Sequence, residues 1–177
     1  YVGLVSGACF ADLGNTVYCV DNDQDKINML NDGEIPIYEP GLDELVKRNA
    51  KAERLSFSTD VGKTIRDSDV IFIAVSTPQS ENGEADISAV KAVAKTIGQN
   101  LNNRKVVCTK STVPIGTGKL VTSIINENNP EKMEFDYVSN PEFLREGSAV
   151  KDFLWPDRLV IGTESDWGFE VMRDVYR

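Results

Sequence analysis

Glu142 and Glu146 flank Arg145 in the stretch Ser139-Asn-Pro-Glu-Phe-Leu-Arg-Glu-Gly147, directly after an apolar run at 135–138. Pro141 biases Asn140 away from the helical region, so the chain leaves the run extended and turns there. Two carboxylates and a guanidinium are thereby delivered to the end of a strand, where open α/β sheets hold their ligands. The same residues also fit a plain helix start, with Asn140 as cap, Pro141 at the first position and Glu142 in the first turn. Taken alone, the stretch leaves both readings open.

Composition narrows the chemistry. The 177 residues include no histidine, which removes the usual general base and most transition-metal sites. Acid–base work must then fall to carboxylates, lysine or water. Cys9, Cys19 and Cys108 sit in apolar helix or strand patterns without CxxC spacing, as reduced core thiols of a cytoplasmic protein do. The net charge of −9 argues against nucleic acid or an anionic membrane as partner. It leaves room for an anionic ligand, because amides at a helix start bind phosphate locally. No apolar run approaches the ~20 residues of a membrane span.

A second group of residues lies near the start. Gly3, Gly7, Ala8 and Ala11 form a small-residue face at helical spacing, suited to close packing on a strand. A strand at 16–20 follows and ends in Asp21. An acidic residue there, ~20 positions after a glycine turn, is the ribose-binding part of the dinucleotide fingerprint. Gly3 is then its third glycine, with Tyr1 and Val2 filling the two positions before it. Asp21 accepts both ribose hydroxyls, and no arginine follows to hold a 2′-phosphate, so NAD is expected over NADP. Thr77 and Pro78, after the apolar run 70–75, and Ser111 to Pro114, after 105–109, offer hydroxyls and free amides on the same edge. Each alone is ordinary turn chemistry; together with Asp21 they make a cofactor edge.

The elements that must position these residues alternate between the two periods. Helices are expected at 3–13, 25–30, 42–49, 61–66 and 117–126. Strands are expected at 16–20, 55–58, 70–75, 105–109, 135–138 and 159–161. Residues 76–85 read as a polar loop, after which Asp86 caps an amphipathic helix with Ile87, Val90, Val93, Ala94 and Ile97 on one face. Apolar strands such as Val-Ile-Phe-Ile-Ala-Val belong to a parallel sheet covered on both faces. The fold class is therefore α/β: a doubly wound, mainly parallel Rossmann-type sheet with helices on both faces. Its first strand and first two glycines are expected before Tyr1, since a doubly wound sheet without its central member exposes both neighbours. Residues 1–165 are expected to form the NAD-binding domain. Residues 166–177 have a helical pattern without a visible partner and are expected to lead toward a further segment.

The chain resembles the nucleotide-sugar 6-dehydrogenases, nearest to those acting on UDP-glucose. The residues that carry this are Tyr1-Val-Gly-Leu-Val, Val20-Asp21, Gly33-Glu-Ile-Pro-Ile-Tyr-Glu-Pro-Gly-Leu42, Lys110-Ser-Thr-Val-Pro-Ile-Gly-Thr-Gly118, Asn140 to Ser148 and Pro156-Asp-Arg158. The resemblance implies two successive oxidations at C6 of UDP-glucose, giving UDP-glucuronate and two NADH through a cysteine-bound thiohemiacetal and thioester. It implies Glu142 as the carboxylate assisting acid–base or hydrolytic chemistry. Thr112 would hold the water and border the nicotinamide. Phe143, Leu144 and Arg145, with Glu142, would line the nucleotide sugar, Glu146 would face the cofactor, and Asp21 and Lys26 would sit at the adenosine ribose. Relatives generally form homodimers or higher homo-oligomers. The family's Gly-x-Cys-Phe-Pro-Lys-Asp type nucleophile motif is absent here, and Asn15 and Trp155 stand where relatives often have histidine. By this reading the chain is a cofactor-binding half, inactive alone. The alternatives are a dehydrogenase of GDP-mannose or UDP-N-acetylmannosamine, and a non-catalytic NAD-binding module.

Overall fold

The computed structural model describes residues 1–80 and 83–177. In chain order the elements begin with α1 (Val2–Asp12), β1 (Val17–Val20), α2 (Gln24–Asn31), α3 (Leu42–Lys51), β2 (Leu55–Ser58) and α4 (Val61–Asp67). They continue with β3 (Val70–Ile73), α5 (Ser88–Asn100), β4 (Lys105–Thr109), α6 (Thr117–Glu127), β5 (Phe135–Ser139), α7 (Ala149–Leu154) and α8 (Asp166–Val175). The strands form a two-stranded sheet, β1-β2, and a three-stranded sheet, β3-β4-β5, with every named ladder parallel. The α/β class with parallel strands joined through helices thus holds. Two compact units contain them: residues 1–64, 143–159 and 173–177 in one, residues 65–142 and 160–172 in the other.

In the first unit α1 lies against β1 through its small residues. A Cβ on Gly7 would stand 2.3 Å from Cys19 Sγ, so only glycine lets helix and strand approach this closely. Phe10 meets Phe153 edge-on at 4.9 Å and Tyr176 at 5.0 Å. Asn15 donates to the carbonyls of Phe10 and Val175, both at 3.0 Å. The C-terminal residues therefore have partners. The unpartnered tail expected from the sequence is corrected, because ring contacts with residues so far away in the chain leave no local signal.

In the second unit β4 is buried along its whole length between β3 and β5. Val90, Ala94 and Ile97 of α5 and Val121 and Ile125 of α6 are buried, each on one apolar face. Asp86 is one residue outside the cap position, yet its Oδ1 accepts from the Ser88 amide at 2.8 Å. Lys105 is fully buried in β4 and donates to the carbonyls of Arg66, in the last turn of α4, and Ser68, just beyond it. A cation there satisfies carbonyls that the helix end leaves without partners.

Two expectations change, and one of the two open readings at Asn140 is decided. The strand at 159–161 is not formed; only an antiparallel bridge pairs Ser139 with Gly162, too short a contact for a ladder. The strand at 70–75 ends at Ile73, where the amides of Lys110 and Ser111 turn to the Ile73 carbonyl. No helix starts at Asn140. The chain stays irregular to Ser148 and α7 begins at Ala149, because the Asn140 side chain is engaged elsewhere. Of the expected loop 76–85, residues 81 and 82 lie outside the described residues; Gln79 and Ala85 form an antiparallel bridge.

Candidate functional site

Asp21 follows β1 directly, and its amide donates to the Ser58 carbonyl at the end of β2. Its Oδ1 accepts from the Asp23 amide at 3.0 Å and its Oδ2 from Lys26 Nζ at 3.1 Å. Burial alone would raise the carboxyl pKa, but these donors outweigh it and hold Asp21 below the ordinary value. The ordinary 3.6-residue turn at the start of α2 brings Lys26 over the strand end, so two of the expected cofactor residues meet directly. Tyr1, Val2 and Gly3 lie at the start of α1 in the same unit.

Phe143, Leu144, Arg145 and Glu146 also belong to this unit. Arg145 is not free to reach outward. Its Nη2 and Nε hold both oxygens of Asp152, at 2.7 and 3.0 Å, and its amide adds a third bond at 3.1 Å. This fork pins the turn before α7 and pulls the Asp152 carboxyl far below its ordinary value. The Phe143 ring is exposed and lies under the Arg158 guanidinium at 5.0 Å. Glu146 is exposed.

In the second unit the C-terminal ends of β3, β4 and β5 share one edge, since the ladders are parallel. The loops there carry Thr77, Pro78, Thr112 and Glu142. Thr77 Oγ1 donates to the Thr112 carbonyl at 2.8 Å, and Ser111 Oγ to the Val75 carbonyl at 2.7 Å, which ties the loops after β3 and β4 together. Lys110, buried at the end of β4, donates to Asn140 Oδ1 at 3.2 Å. Asn140 in turn donates its side-chain amide to the Val160 carbonyl at 2.8 Å and its backbone amide to Thr109. Burial pushes the Lys110 ammonium below its ordinary pKa, against the opposing pull of the Glu142 charge. Lys110 therefore stands within electrostatic reach of Glu142. The sequence shows Lys110 and Asn140 only as motif members; their meeting depends on β4 and β5 being neighbours.

None of the cysteines suits a nucleophile. Cys9 and Cys108 are fully buried and Cys19 half-buried, and burial pushes all three thiols up to about 12. Among the described residues no cluster of side chains could hold a metal ion, and no helix is long and apolar enough to cross a membrane.

The NAD binding domain of the UDP-glucose/GDP-mannose dehydrogenase family matches residues 1–177. The chain belongs to this family. Asp21 is a residue suited to that cofactor, a carboxylate at a strand end of the kind that accepts from a diol. The sequence is 54% identical over 177 residues to UDP-glucose 6-dehydrogenase TuaD of Bacillus subtilis, covering 100% of this chain and 38% of that protein. It is 54% identical over 180 residues to UDP-glucose 6-dehydrogenase of Rhizobium meliloti, covering 100% of this chain and 41% of that protein. The chain thus spans about two-fifths of the length of these relatives. Among solved structures, a UDP-glucose dehydrogenase from Pyrobaculum islandicum superposes with TM-score 0.96 at 40% identity, covering 99% of this chain and 41% of that one. A GDP-mannose dehydrogenase from Pseudomonas aeruginosa gives TM-score 0.95 at 37% identity, covering 100% and 42%.

Proposed function

We propose that the intact protein is a cytoplasmic, NAD-dependent UDP-glucose 6-dehydrogenase that oxidises C6 of the sugar to the carboxylate, using two NAD per substrate. The observation that carries this reading is the 54% identity, across the whole chain, to two UDP-glucose 6-dehydrogenases. When bound, NAD supplies the hydride acceptor. The chain's own residues supply the setting: Asp21 and Lys26 for the adenosine ribose, with Tyr1, Val2 and Gly3 at the glycine turn, and Thr77, Pro78, Thr112 and Glu146 along the cofactor. Phe143, Leu144 and Arg145 line the nucleotide sugar mainly through their backbone, the guanidinium of Arg145 being held by Asp152.

Glu142 takes the acid–base role. Its carboxylate, within electrostatic reach of the buried Lys110 side chain, is the group to hold a proton or a water at the reacting carbon. The test is a nucleotide-sugar panel with the full-length protein. UDP-glucose should yield two NADH per molecule consumed, whereas turnover with GDP-mannose alone would overturn the assignment. Glu142→Gln should lower kcat by about 10²-fold or more while leaving the KM for UDP-glucose within about threefold. An unchanged kcat would remove Glu142 from the chemistry.

A further inference from the structure

The motif Gly33 to Leu42 has no role in the reading above, yet it contains Glu39, the one acidic side chain among the described residues that is buried, at 5% exposure. Burying a carboxylate is unfavourable unless donors replace the lost water. Glu39 has them. Its Oε2 accepts from the Tyr1 hydroxyl at 2.5 Å and from the Gly147 amide at 2.8 Å. Its Oε1 accepts from the Ala149 amide at 2.8 Å. Gly147 takes φ +85°, a left-handed conformation that glycine adopts without strain. All these residues lie in one unit.

The held backbone is the turn that carries Arg145 and Glu146. On its other side the same carboxylate grips Tyr1, at the candidate glycine turn. We propose that Glu39 is a positioning residue: it fixes the 143–147 turn for the nucleotide sugar and ties that turn to Tyr1 on the cofactor side. This rests on the dehydrogenase reading. Charge matters as well as shape. Three donors converge on two oxygens, and two of them are backbone amides, so both oxygens must accept. In Glu39→Gln one oxygen becomes an NH₂ group. The Tyr1 hydroxyl can rotate to accept from it, but a backbone N–H cannot, so either orientation leaves the Gly147 or the Ala149 amide facing a donor.

The experiment uses the full-length protein and two variants, Glu39→Gln and Tyr1→Phe. The expected result for Glu39→Gln is a rise in the KM for UDP-glucose on the order of tenfold, the scale of one lost charge-assisted bond. Tyr1→Phe keeps both amide contacts and should shift the same constant in the same direction by less. A lowered melting temperature with an unchanged KM would show that Glu39 only supports the fold, and would overturn the proposal. If Glu39→Gln does not fold, an unchanged KM in Tyr1→Phe overturns it. Hydrogen exchange at the Gly147 and Ala149 amides gives an independent arm. If the wild type oxidises no nucleotide sugar, the dehydrogenase reading falls, while faster exchange at these amides in Glu39→Gln still upholds the clamp and unchanged exchange refutes it.

Discussion

Replacing Asp21 by alanine separates ligand binding from folding. Each carboxylate oxygen of Asp21 has two lone pairs, and the structure occupies one on each: Oδ1 by the Asp23 amide and Oδ2 by Lys26 Nζ. Two acceptor sites remain, enough for the two hydroxyls of a ribose. Hydrogen bonds to a charged acceptor contribute about 1.5–3 kcal/mol each, and two on one carboxylate are not additive, so the loss should be about 2–3 kcal/mol. That is roughly 30- to 150-fold in the Kd for NAD. Folding should barely respond. The Asp21–Lys26 pair is 37% and 44% exposed at its two side chains, and such pairs contribute about 0–1 kcal/mol. The backbone bond to Ser58 survives the substitution. Titration calorimetry with NAD measures the first quantity and thermal unfolding the second. An unchanged Kd refutes the ribose role. A collapse in melting temperature would instead make Asp21 a structural residue.

Other consequences follow from the packing and the charges. Gly98→Ala adds a good helix former, a gain of about 1 kcal/mol on propensity alone. However, its Cβ would stand 2.6 Å from the Ile125 carbonyl oxygen, where α5 meets α6, and overpacking of this kind costs about 1–3 kcal/mol. The net effect should be a melting temperature lower by about 2–4 °C, and a rise would contradict the close approach. The three thiols, with pKa values pushed up to about 12, should react with a thiol reagent at pH 8 on the order of a thousandfold more slowly in the native protein than in denaturant. Equal rates would contradict their burial. Glu39 should make stability sensitive to acid. Its folded pKa lies below the unfolded value, so its contribution is complete above about pH 5 and is lost as the pH falls through the folded pKa. Denaturant titrations from pH 6 to pH 3 should show wild type losing stability faster than Glu39→Gln; parallel slopes would refute the assignment.

Local sequence was enough wherever the determining physics was local. The run Lys105 to Thr109 is a strand from end to end, and Leu55 to Ser58 likewise, since apolar β-branched and aromatic residues between turn signals leave few alternatives. Asp21 falls at a strand end because the alternation of residues 16–20 stops there. The stretch after β5 was different. Asn140, Pro141 and Glu142 have the composition of a helix start, and only the neighbouring strand shows why none forms: Asn140 is engaged by Lys110 on one side and Val160 on the other. Glu39 and Gly147 are 108 residues apart in the chain, and no periodicity or cap rule relates them. Residue types and spacing determined the α/β class, the parallel strands, the absence of histidine chemistry and the acidic residue at the strand end. Which charges are buried and what holds them is a matter of which strands and turns become neighbours. A buried carboxylate or ammonium is tolerated only where distant backbone and side-chain groups converge on it, and that convergence exists only in three dimensions.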